Sequence, residues 1–193
     1  MQGAPESVLI NGALGDMARF YGLPNTQAGC LSDAQEPGAQ TLLEKMITTL
    51  PLVLSGVDVI NGIGEMATSQ LLVHEQILVD HELACLCKRL KDGLEVSDGQ
   101  DFFDDVARVG PGGHFLMEEN TVTACRSPQF CHPRLVERSA FDHWVKLGRP
   151  DLYTKARKQA RAILDTPLPN PLPGDVAGKL EDIMRKADEE LAR

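Results

Sequence analysis

The sequence predicts an α/β protein in its first half and a mainly helical second half. Strand-like and helix-like segments alternate as far as Gly93, and such alternation implies parallel strands joined by helical crossovers. Glycine- and acid-rich motifs lie just after the strand-like segments, where α/β folds gather functional groups. Of the 193 residues, 42% are hydrophobic and 24% charged, enough for a core that needs no disulfide staples.

Taken in order, "APESVLINGALGDMARFYGLP" reads as an amphipathic helix. Pro5 stands in its first turn, Val8, Leu9, Leu14, Met17, Ala18 and Tyr21 form its apolar face, and Gly22 and Pro24 stop it. "PNTQAGCLSD" reads as a short buried strand leading into a loop. "EPGAQTLLEKMITTLPLVLSG" is a helix from near Pro37 to Ser55 and Gly56, which Pro51, lacking an N–H, ends or kinks. "VDVINGIG" is β-rich and ends in a glycine turn. Residues 65–93 read as one long helix in which Leu71, Leu72, Ile77, Leu78 and Leu86 mix with acids. Beyond it, a helix capped by Ser97 or Asp98 stops at Gly110 and Pro111, and residues 114–135 read as irregular. Two further helices, in "SAFDHWVKLG" and "PDLYTKARKQARAILDT", precede a stiff "PLPNPLPGD" linker and a charged amphipathic terminal helix.

The net charge of −9 argues against nucleic acid or an anionic membrane as partner. No apolar run reaches the length of a membrane span. The five cysteines are odd in number and irregular in spacing, and "MQGAPESVLI" does not read as a signal peptide. Reduced thiols in a cytoplasmic protein are therefore expected.

Four motifs bear on chemistry. "NGIG" after a strand is either a phosphate cradle or a tight strand-to-helix turn, and it lacks the third glycine of a dinucleotide fingerprint. Glu65, Glu75, Asp80 and Glu82 follow it; Glu75 lies within the apolar "LLVHEQILV". A carboxylate on a core-facing stripe needs a partner, because burying a lone charge is costly. Cys85 and Cys87 are wrongly spaced for one helix face. Cys125, Cys131 and His132 have no second pair following at zinc-finger spacing, and no His stands in a recognisable triad context.

Three blocks then occur in order: "GCLSDAQEPGAQTLLEKM", "SGVDVINGIGEMATSQLLVHEQILVDHEL" and "GPGGHFLMEENTVTACRSPQFCHPRLVERSAFDHWVKLG". Together they resemble the C-terminal part of the trimethylamine methyltransferase (MttB-like) family, which includes glycine betaine methyltransferases. The matching positions are Ser32, Asp33, Ala34 and Gln40; Glu75, Gln76, Asp80 and Glu82; and Gly110, Pro111, His114, Thr121, Arg126, Pro133, Arg138 and Trp144. The resemblance covers nearly the whole chain.

The resemblance implies a partial TIM (β/α) barrel, the C-terminal portion of one, over residues 1–96. Residues 97–193 would form a helical and irregular extension packed on it. It implies methyl transfer from a methylated amine to a corrinoid (cobalamin) carried by a separate partner protein. Standard residues around Gly29 and Cys30 resemble the non-pyrrolysine branch, which favours a quaternary amine such as a betaine. Gln35 stands where Lys is usual after Ser-Asp-Ala. The substrate-binding candidates are Cys30, Asp33, Gln40, Glu65 and Glu75. Family members are longer, so the first barrel strands would be missing, and open sheet edges imply a homo-oligomer. A non-catalytic remnant acting in binding or assembly is the alternative, and an unrelated acid-based α/β enzyme a third.

Overall fold

Pro5 sits in the first turn of helix α1 (Pro5–Phe20), whose end is closed by the Leu23 amide on the Ala18 carbonyl. A computed structural model describes residues 1–167 and 170–191. After α1 come strand β1 (Thr26–Ala28), helix α2 (Ala39–Ser55), strand β2 (Val59–Asn61), the two-residue strands β3 (Glu65–Met66) and β4 (Leu71–Leu72), and helix α3 (His74–Asp92). Helices α4 (Phe103–Val109), α5 (Glu119–Arg126), α6 (Phe141–Lys146), α7 (Leu152–Leu164) and α8 (Gly174–Leu191) complete the order. No helix among the described residues is long and apolar enough to cross a membrane.

The expected α/β class and partial TIM barrel are overturned. The chain is predominantly helical, and among the described residues its strands form two separate two-stranded sheets with no closure. Strands β1 and β2 do run parallel around α2, with Gln27 opposite Ile60, yet each is three residues long. Cys30, in the left-handed region at φ 54°, and Gly62, at φ 101°, turn the backbone out of extended geometry just past them. β3 and β4 pair antiparallel, and no strand follows α3 among the described residues.

Residues 65–73 are also not helical. Ala67, Thr68 and Ser69 all have positive φ, which a right-handed helix cannot hold. They form a hairpin that pairs Glu65 with Leu72 and Met66 with Leu71, so α3 starts only at His74. α2 continues through Pro51, which lies on its solvent face, where water can satisfy the carbonyl the proline leaves free. α5 forms within the stretch expected to be irregular. Leu168 and Pro169 of the expected linker lie outside the described residues.

The chain divides into two units, Met1–Ala160 and Arg161–Arg193. In the first, Val8, Leu52 and Val57 pack with Ile60. A second cluster joins Val79, Leu135 and Ala156 to Leu42, Leu78, Leu152 and Tyr153. α1 faces inward through Val8, Asn11 and Gly15: the Asn11 amide donates to the Ala28 carbonyl at 2.7 Å, and a Cβ on Gly15 would lie 3.1 Å from Val57. Leu9, Leu14 and Met17 of its expected apolar face are exposed. In the second unit, α8 carries the Lys179–Asp175 and Arg185–Asp182 ion pairs and exposes Leu180, Ile183 and Met184.

Candidate functional site

Two loops meet beyond the ends of β1 and β2. The Ala67 amide donates to the Ala34 carbonyl at 3.0 Å and the Thr68 amide to the Ser32 carbonyl at 3.2 Å. This joins residues 32–34 to the β3–β4 hairpin.

Beneath them lies a buried ionic floor. α2 turns Thr41, Lys45, Thr48 and Leu52 inward, and α3 turns Gln76, Asp80, Leu83 and Cys87 inward. Each set follows the i, i+4, i+7, i+11 spacing of one helix stripe. The Lys45 and Asp80 side chains have no solvent exposure and pair at 2.8 Å. Lys45 Nζ also donates to the Cys30 carbonyl at 2.7 Å and the Gly62 carbonyl at 3.4 Å. Asp80 accepts from the Gly64 amide and from Gln76 Nε2, both at 2.7 Å. Tyr153 completes the chain by donating its hydroxyl to Gln76 Oε1 at 2.9 Å. Burial and the nearby Asp80 carboxylate push the Tyr153 hydroxyl up to about 12, so it remains a donor at neutral pH. A buried ion pair persists only when its remaining donors and acceptors are satisfied in this way.

The floor explains the two glycines of "NGIG". A Cβ on Gly62 would fall 2.3 Å from the Gly29 carbonyl oxygen, and one on Gly64 would fall 2.5 Å from Ile77 Cγ1. Both positions also have positive φ. The Gly64 amide, which a phosphate cradle would present to a ligand, is spent on Asp80. The motif is the tight turn, and the anion it holds is the chain's own.

Above the floor is a polar rim. Asp33 accepts from the Gln2 and Gly3 amides at 2.9 and 3.1 Å and from the Thr68 hydroxyl at 2.9 Å. Burial pushes its carboxyl up, but these donors outweigh it and hold the group below its ordinary value. Glu44 accepts from the Ser32 hydroxyl, the Asp33 amide and Gln40 Nε2, each at 2.8 Å. It too sits below its ordinary value, with burial opposing and Gln40 and Ser32 lowering. Both carboxylates are therefore ionised at neutral pH, and the donors that bond them directly are all neutral. The rim is negative, the charge that suits a cation.

The five sequence candidates distribute as follows. Asp33 and Gln40 are joined through Glu44. Cys30 lies upstream in the same loop but is buried; burial and Asp80 push its thiol up to about 12, which keeps it a weak nucleophile. It lines a cleft of about 350 Å³ with Thr49, Val53, Val57, Ile60 and Ile63. Glu65 is half-buried in β3, two residues before the Ala67–Ala34 contact, and its side chain enters none of the contacts above. Glu75 pairs with Arg157 at 3.3 Å and shares no partner with the rim. Of the other acids on α3, Asp80 is the floor. Glu82 accepts the Leu135 and Val136 amides at 2.9 and 3.1 Å, which clamps the 134–136 segment to the helix. Glu44, Lys45 and Tyr153 are the residues the sequence reading missed; the Gln76–Asp80 i, i+4 pair was the one signal that pointed toward them.

A family model described as trimethylamine methyltransferase (MTTB) matches residues 1–192. The chain is 33% identical over 186 residues to a trimethylamine methyltransferase of Methanosarcina barkeri, which covers 96% of this chain and 37% of that protein. It is 31% identical over 188 residues to one of Desulfitobacterium hafniense, covering 97% and 38%. A glycine betaine methyltransferase of Desulfitobacterium hafniense is 32% identical over 192 residues, 98% of this chain and 39% of that protein. The chain thus spans less than two-fifths of the length of each.

Proposed function

This chain belongs to the trimethylamine methyltransferase (MTTB) family, and we propose on that footing that it serves methyl transfer from a methylated amine to a corrinoid protein. The observation that carries the reading is the family match over residues 1–192. The relatives named for trimethylamine and for glycine betaine support a methylated amine as the donor class. Standard residues at Gly29 and Cys30 favour a quaternary one.

The chemistry asks little of protein nucleophiles. The C–N bond of the ammonium breaks, its electron pair stays on nitrogen, and the methyl passes to the acceptor. The corrinoid, bound to its own protein, is the methyl acceptor and supplies the nucleophile. What remains for this chain is to hold a cation, orient one methyl and exclude water. A quaternary ammonium has no N–H to donate, so it is held by charge and by contact with polarisable faces. The ionised Asp33 and Glu44 supply the field, and Glu65, a candidate carboxylate outside both the rim network and the Glu75–Arg157 ion pair, is assigned direct contact with the ligand.

The test mixes the chain with a reduced corrinoid protein and a panel of methylated amines, with and without the segments that the longer relatives have in addition. Methyl transfer is read from the corrinoid absorption spectrum. Transfer is expected with the added segments and little or none without them. Glu65→Gln is expected to raise KM for the amine with little change in thermal stability. No transfer under any combination would overturn the activity; an unchanged KM in Glu65→Gln would overturn the role of Glu65 alone. A second reading, a non-catalytic binding or assembly protein, is favoured by one observation: the Asp33 and Glu44 oxygens are already occupied by the chain's own donors.

A further inference from the structure

We propose that the pocket between α3 and the segment 131–134 binds one thiophilic divalent metal ion, best matched by Zn²⁺, through His81, Cys85, Cys131 and His132. All four line a single pocket of about 90 Å³, together with Glu82 and Arg134. Thiolate and imidazole in equal number are a zinc-type donor set.

The helix supplies a formed half-site. His81 and Cys85 stand one turn apart on α3, with Nε2 and Sγ 3.7 Å from each other. Bond lengths of about 2.0–2.1 Å to nitrogen and about 2.3 Å to sulfur put two tetrahedral ligands roughly 3.6 Å apart. This pair therefore already spans one edge of a zinc tetrahedron.

The segment supplies the other half. His132 Nε2 lies 2.9 Å from the Cys125 carbonyl oxygen. A carbonyl only accepts, so Nε2 carries the proton and Nδ1 keeps its lone pair. A ring N–H anchored on a carbonyl, with the other nitrogen free, is the arrangement that orients metal-binding histidines. Glu82, next in sequence to His81, clamps the chain at Leu135 and Val136 and so fixes the segment against the helix. Among the described residues no three such side chains yet converge on one point. Closure needs the Cys131 and His132 side chains to rotate onto the His81–Cys85 edge, while Glu82 holds the backbone just beyond them at Leu135 and Val136.

The charges balance. Each coordinating cysteine releases its proton to solvent, and two thiolates neutralise the dication. Arg134 stands at the rim of the same pocket and opposes a metal cation by its own charge. The spacing explains why the sequence concealed the site: the second pair precedes the "CRSPQFCH" segment, on a helix, instead of following it.

The test uses the whole chain, stripped with a chelator and kept reduced by a phosphine, and titrates it with Co²⁺ as spectroscopic probe. A sulfur-to-cobalt charge-transfer band and intense tetrahedral d–d bands are expected, saturating at one ion per chain and abolished by Zn²⁺. Cys85→Ser and Cys131→Ser should each weaken binding at least about tenfold and reduce the charge-transfer intensity. Cys87→Ser, on the inward face of α3, should leave both unchanged. Circular dichroism confirms that each variant is folded. Absence of a thiolate–cobalt band in the wild-type chain, or a band unaffected by Cys85→Ser and Cys131→Ser, overturns the proposal.

Discussion

Lys45 and Asp80 face each other without solvent exposure, and their remaining hydrogen bonds to Cys30, Gly62, Gly64 and Gln76 join them in one network. Removing one member of such a pair strands the other charge. Lys45→Met or Asp80→Leu alone is expected to lower the unfolding free energy by about 3–5 kcal/mol, while the double variant recovers most of the loss. Urea denaturation measures both; a single variant as stable as wild type would refute the network's role. The pair was hard to read from sequence for a definite reason. Lys45 sits in "TLLEKMITTL", where the apolar residues suggest the inward face. The structure instead exposes Leu43 and Leu54 and buries Thr41, Lys45 and Thr48. Asp80 was legible as an acid in a helix, but its partner comes from another element, and no local spacing reveals it.

Elements were more legible than their ends. α1, α2 and α8 were expected close to where they occur, because capping glycines and prolines act locally. The hairpin at residues 65–72 carries the sequence pattern of a helix, since three successive left-handed residues of ordinary type leave no compositional trace. The class failed for a related reason: helix–strand alternation predicts pairing, but strands three residues long cannot build a barrel wall. The rim residues Asp33 and Gln40 were nominated from resemblance, yet Glu44, which joins them, was not. At this scale Glu82 is the testable joint between α3 and the 134–136 segment. Burial pushes its carboxyl up, but the amides of Leu135, Val136 and Arg134 hold it below its ordinary value of 4.5. Its contribution is therefore complete above about pH 4.5, where the unfolded form is also ionised, and drains away as pH falls toward the lowered value. Glu82→Gln is expected to cost about 1–3 kcal/mol at pH 7 and to flatten the acid limb below pH 4.5. Parallel acid limbs for wild type and variant would contradict the clamp.

For the molecule as a whole, the exposed apolar side is the feature to explain. Leu9, Ile10, Leu14 and Met17 lie exposed along α1, and the β1–β2 sheet has only two strands, so each keeps a free edge. Apolar faces and free edges together favour self-association. Light scattering is expected to give at least a dimer in the micromolar range, which Leu9→Lys/Leu14→Lys would reduce to monomer. A monomeric wild-type chain at high concentration would count against it. The polar floor has a calorimetric consequence as well. Unfolding that exposes apolar surface raises the heat capacity, whereas exposing Thr41, Lys45, Thr48, Gln76 and Asp80 lowers it. The heat-capacity increment should fall below the usual value of about 12–15 cal/mol/K per residue. The curve of stability against temperature is then shallow, and the protein loses little of its stability on cooling.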